Sequence, residues 1–145
     1  MRRLSAILSM TMLMGAAAAH AETAASRALA GTWTARSAEQ DGAPAAALAG
    51  HRLLLDGDAY AITAPGGKLL YSGTYKVDIS VQPPHIDFVG TAAGGGDASW
   101  EGIYQLQGNR LTIVDDAPDP AKGRPTALAA LAGSGHVLVV FERSP

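Results

Sequence analysis

The chain has 145 residues, 11 Lys and Arg against 13 Asp and Glu, a net charge of −2 with His neutral, and no cysteine. Its length suits one core domain, and the missing thiols exclude disulfide staples and an acylated lipoprotein anchor. No basic stripe is present to follow a phosphate backbone or an anionic membrane surface, which argues against both as partners.

Met1-Arg2-Arg3 opens the chain with positive charge, and Leu4 to Ala19 then run uncharged through Ile7, Leu8, Met10, Met12, Leu13 and Met14. This is the grammar of a secretory signal peptide, and Ala19-His20-Ala21 has the small-x-small form that places cleavage before Glu22. A retained anchor is the weaker reading: the apolar run falls short of the roughly 20 residues of a spanning helix, and Ser5, Ser9, Thr11 and Gly15 dilute it. Arg2-Arg3 lacks the flanking residues of twin-arginine export, which leaves general secretion to the periplasm or beyond. Residues 22–30 follow as a flexible, Ala-rich lead, and residues 31–145 form the domain.

Within the domain, alternating apolar and polar residues recur between turn signals, and almost nothing has a helical period. Strands are predicted near Gly31–Ala38, His51–Asp56, Asp58–Thr63, Lys68–Asp78, His85–Val89, Ser99–Leu106, Arg110–Val114 and Val137–Arg143. In Lys68–Asp78 the residues Leu69, Tyr71, Tyr75 and Val77 share one face, and Lys68, Ser72, Thr74, Lys76 and Asp78 take the other, as a half-buried strand requires. Asp56-Gly57, Gly66-Gly67 and Gln107-Gly108-Asn109 supply tight turns between sequence neighbours. The expected fold is all-β: a small antiparallel up-and-down barrel of about eight strands, the number at which a small barrel closes.

Two stretches interrupt the meander. Asp41–Gly50 reads as a short helix stopped by Gly50 and suited to covering one end of the barrel. Asp115–His136 is a long connection, Pro-rich at first and Ala/Leu-rich later, of a length that is usually functional or folded over an opening. Ala92–Asp97, with three consecutive glycines, reads as a flexible hairpin tip.

Gly31-Thr32-Trp33 at the start of the first strand and Arg143 at the end of the last form the pairing seen in lipocalins. There the Trp plugs the closed end, and the Arg lies over its ring in a cation–π contact worth about 0.5–2 kcal/mol. A wider pattern accompanies it: Leu55-Asp56-Gly57-Asp58-Ala59-Tyr60, Gly73-Thr74-Tyr75-Lys76-Val77-Asp78, Pro84-His85-Ile86-Asp87, Gly102-Ile103-Tyr104-Gln105-Leu106 and Gly133-Ser134-Gly135-His136-Val137-Leu138. Together these segments resemble an uncharacterised lipocalin-like domain family common in planctomycete-type bacterial proteins. The resemblance spans about Ala28 to Arg143 and implies a small calycin-like barrel with Trp33 and Arg143 in structural roles. It brings no activity, substrate or cofactor, and Val114 stands where many members have a Cys.

Candidate chemistry is sparse. His51, His85 and His136 fit no zinc spacing. Asp56-Gly57-Asp58 reads as a hairpin turn and Asp115-Asp116-Ala117-Pro118-Asp119 as a solvated acidic loop, since neither has the staggered ligands of a calcium loop. Asp87 and Glu101 fall on the outward face. Gly133-Ser134-Gly135-His136 lacks the strand-to-helix elbow of a serine nucleophile. No metal or other cofactor is called for, and a non-catalytic protein is expected.

The inward aromatics, Tyr60, Tyr71, Tyr75, Trp100 and Tyr104, either line a ligand cup or fill the barrel, and an eight-stranded barrel has room for either. The leading expectation is a secreted or periplasmic monomer that binds a small apolar or amphipathic molecule at the open end, near Asp115–His136. Its rivals are a cell-envelope interaction or inhibitor module on a filled barrel, and a hydrolase built around His136.

Overall fold

Strands fall where apolar and polar side chains alternate. The computed structural model describes residues 22–117 and 119–145; the signal peptide and cleavage site read in residues 1–21 lie outside the described residues. The strands are β1 (Gly31–Gln40), β2 (Ala43–Pro44), β3 (Arg52–Asp56), β4 (Ala59–Thr63), β5 (Leu69–Asp78), β6 (His85–Ala92), β7 (Asp97–Gln107), β8 (Arg110–Asp115) and β9 (Val137–Arg143). From β3 to β9 each strand pairs antiparallel with the next, β1 pairs with β3, and β1 returns to pair with β9, Trp33 opposite Arg143 and Gln40 opposite Val137. The ring of eight strands is therefore closed, which leaves no barrel edge to aggregate. Two-residue β2 folds back on the end of β1 and stands outside the ring.

One end is plugged. Trp33 is completely buried, and its indole Nε1 donates to the Leu29 carbonyl at 2.8 Å. The Arg143 guanidinium carbon sits 4.2 Å from the Trp33 ring centroid, while its two terminal nitrogens donate to the carbonyls of Ala30 (2.6 Å) and Ala28 (2.9 Å). Residues 22–29 are helical rather than a flexible lead; we label this helix α1. Its Ala-rich sequence has high helix propensity, and its C-terminal carbonyls, which no intrahelical donor reaches, are met by Trp33 and Arg143. Arg143 also places a positive charge at the negative end of the helix. Fully buried Leu29 then pins α1 to the core.

Curvature comes from glycine at two paired positions. Gly73 of β5 faces Gly90 of β6. A Cβ on Gly73 would collide with the Val89 carbonyl oxygen, and one on Gly90 with the Ser72 carbonyl oxygen, so the strands bend where only glycine fits.

The connection from β8 to β9 folds over the outside of the barrel. Ile103 and Val114, paired across β7 and β8, point outward by alternation yet are completely covered. Arg124 pins the connection, donating to Asp87 Oδ1 at 2.6 Å and to the Gly102 carbonyl at 2.7 Å, with Glu101 Oε2 at 3.6 Å. At Asp41–Gly50 the expected short helix is reduced to a 3-10 turn, Ala46–Leu48, because Pro44 is held extended in β2.

Candidate functional site

Aromatic rings divide the interior. Phe88 packs against Tyr60 (centroids 5.0 Å apart), Trp100 (5.5 Å) and Tyr75 (6.2 Å). Toward Trp33 the barrel is filled: Tyr60, Tyr75, Tyr104, Val77, Ile86 and Leu111 are all buried. Toward the other end, where β1 finishes and β9 begins, a cavity of about 730 Å³ opens between the strands. Filled core and open cup thus occupy opposite halves of one barrel.

Alternation positions the wall of the cup. Leu53 of β3, Ile62 of β4, Tyr71 of β5, Trp100 of β7, Ile113 of β8 and Phe141 of β9 line it, each from the inward parity of its strand. Leu48, from the 3-10 turn, and Ala117 and Pro120, from the β8–β9 connection, stand at the mouth. Of the five aromatic residues named from the sequence, Tyr71 and Trp100 meet in the cup, edge to face at 5.4 Å. Tyr60, Tyr75 and Tyr104 stand below it in the filled half, and burial pushes all three phenol pKa values up. The Tyr60 hydroxyl is buried without a partner among the described residues, and the Tyr75 hydroxyl faces Ser26 of α1 without hydrogen-bond geometry.

The electrostatic feature of the cup is Asp115. Strand β8 runs to this residue, so the alternation of Leu111 and Ile113 carries the Asp115 side chain inward, opposite Gly102 on β7 and Val137 on β9. Gly102 leaves room for it: a Cβ there would lie 3.1 Å from that of Asp115 and 2.6 Å from the Val114 carbonyl oxygen. One carboxyl oxygen accepts from the Ala117 N–H at 3.0 Å, and the other has no protein partner among the described residues. Although partly accessible through the mouth, the group is walled by apolar side chains. Loss of hydration pushes its pKa up to about 7, with the negative charge of Asp116 adding to the rise and the Ala117 N–H opposing it. Asp116 is itself buried, accepting the Glu101 N–H at 2.8 Å, and burial raises its pKa too. The pair is therefore not the solvated acidic loop expected from the sequence. The signal was the period-two run Leu111, Ile113, Asp115, carried one step past Val114.

Other candidates are engaged elsewhere. His136 Nε2 donates to the Gly123 carbonyl at 2.9 Å and Ser134 Oγ to the Leu131 carbonyl, so the two side chains serve separate loop contacts. His51 Nδ1 donates to the Leu48 carbonyl at 3.0 Å and helps fix the mouth. Asp87 and Glu101 bind Arg124 on the outer wall. Among the described residues no group of three or more His, Asp or Glu is placed to hold a metal ion. Chemically the site offers a largely apolar cavity with the Asp115 carboxyl in its wall and Arg52, His51 and Asp97 also on its lining, which suits non-covalent binding. Comparison with protein families, with curated proteins and with solved structures finds no match for this chain.

Proposed function

We propose that the protein is a non-catalytic binding protein, exported to the periplasm or beyond, that holds a small apolar or amphipathic molecule in the cup. The observation that carries this reading is the cavity of about 730 Å³, within the size range of small-molecule sites and lined mainly by aliphatic and aromatic side chains. Export is supported by the charge-free run Leu4–Ala19 and the Ala19-His20-Ala21 site. The plugged end, with Trp33 under Arg143, supports kinship with the lipocalin-like domain family that the sequence resembles.

The test is a titration of residues 22–145 with the neutral apolar fluorophore N-phenyl-1-naphthylamine, for the native sequence and for Ala98→Phe. Ala98 lines the cup from β7, and a ring there would occupy the space a ligand needs. The native protein is expected to show saturable enhancement that Ala98→Phe abolishes while keeping its circular dichroism. No saturable enhancement, or equal enhancement in both proteins, would refute binding in the cup.

A further inference from the structure

The cup is not uniformly greasy: Asp115 stands in its wall and forms no ion pair among the described residues. Asp115 is the acid that alternation carries into the wall and onto the cavity lining, with one oxygen held by Ala117 N–H and no protein donor to the other among the described residues. Asp116, next along the chain, is negative and is itself influenced by Glu101 and His136. His51, just before β3, Arg52, at its start, and Asp97, at the start of β7, line the cavity from other elements, and none of them forms an ion pair or hydrogen bond with Asp115 among the described residues. An ionised carboxylate in such a place lacks the pairing that buried charges ordinarily have. A ligand can supply it.

We propose that the cup selects amphiphiles with a protonated amine head, received by the free oxygen of Asp115 while the apolar body lies against Trp100 and Phe141. This rests on the binding reading above and narrows it to a chemical class. An ammonium group donates a charge-assisted hydrogen bond to the carboxylate, the strong kind of contact in a site with little water. A neutral alcohol offers a weaker donor, and a carboxylate ligand would place a second negative charge beside Asp115 and Asp116. Ammonium heads are normally the costlier group to desolvate, so preference for amine over alcohol at equal chain length would have to come from the protein.

The experiment displaces bound N-phenyl-1-naphthylamine with decylamine, decanol and decanoate, taking the amine-to-alcohol affinity ratio within each protein. At about pH 8.5 Asp115 is ionised while an alkylamine keeps its proton, and decylamine is expected to bind about tenfold or more tighter than decanol, with decanoate weakest. At about pH 5.5, where Asp115 takes up a proton, the ratio should fall toward one. In Asp115→Asn it should be near one at both pH values, and a ratio that still changes with pH there would overturn the assignment to Asp115. A ratio near one for the native protein at the higher pH, with the fluorophore still saturating, would overturn the amine assignment and leave the cup reading standing. A preference for decanoate would overturn it equally. Failure of the fluorophore to saturate would remove both. If Asp115→Asn does not fold, the pH series on the native protein decides alone.

Discussion

At Asp115 the stability of the fold and the charge of the cup are linked. Its pKa is raised from 3.8 to about 7, so between these values the native state holds a proton that the unfolded chain releases. Stability from this group is present at low pH and is lost as pH rises through that window. Asp115→Asn keeps an acceptor for Ala117 N–H and cannot ionise. Its denaturation midpoint should match the native protein near pH 4, pull ahead as pH rises, and level off above about pH 7. Asp116 is present in both proteins, and loss of the neighbouring Asp115 charge adds to the gain of the variant at higher pH; parallel pH curves would contradict the position assigned to Asp115. Arg143 gives a second residue-scale prediction. It loses a cation–π contact and two hydrogen bonds to the carbonyls of Ala28 and Ala30 when truncated. Arg143→Ala should therefore cost about 2–3 kcal/mol more than Arg110→Ala, measured by denaturant unfolding. This closure was legible in Gly31-Thr32-Trp33 and Arg143. The environment of Asp115 was not, because an acid followed by Asp116, Ala117 and Pro118 has the composition of a loop, and composition does not say where a strand stops.

Among the elements, the strands were the most legible, since period-two alternation is a local property and survives in every barrel strand. Helix α1 was not legible: residues 22–29 have Leu29 as their one large apolar side chain, and its i−4 partner on the inward face, Ala25, is too small to mark a stripe. What orders them is tertiary, the seating of Leu29 and the capture of their last carbonyls by Trp33 and Arg143. Leu29→Ala is expected to cost about 2–5 kcal/mol, as for other buried leucines, and to expose Trp33 to a fluorescence quencher. If the quencher reaches Trp33 no better in that variant, α1 is not the plug. The β5–β6 pair carries the complementary prediction. Gly73→Ala must push its Cβ into the Val89 carbonyl and should cost about 3 kcal/mol, whereas Gly94→Ala, with open space around it, should change stability by less than about 0.5 kcal/mol. Gly73 alone in the sequence fits a bend or a gap between Tyr71 and Tyr75; its pairing with Gly90 makes it a bend.

Over the whole molecule, the barrel is half core and half container. Rings from β4, β5, β6 and β7 pack to form the partition, and Trp33 with α1 seals the far end. Sequence parity places all the inward aromatics on one surface of a sheet, but it does not give their height along the barrel axis, which depends on how the tilted strands are staggered. That is why Tyr71 and Trp100 separate from Tyr60, Tyr75 and Tyr104 only in three dimensions. On the proposed function the division gives the fold two separable duties, stability below the partition and ligand contact above it. Binding is most directly tested by following backbone amide shifts of the ¹⁵N-labelled protein as N-phenyl-1-naphthylamine is added. Shifts concentrated at Leu53, Ile62, Tyr71, Trp100, Ile113 and Val139, with Trp33, Tyr104 and Leu111 unmoved, are expected. Shifts confined to the outer wall over β6–β8, or none at saturating fluorophore, would contradict a ligand cup and favour a barrel that works through its exterior.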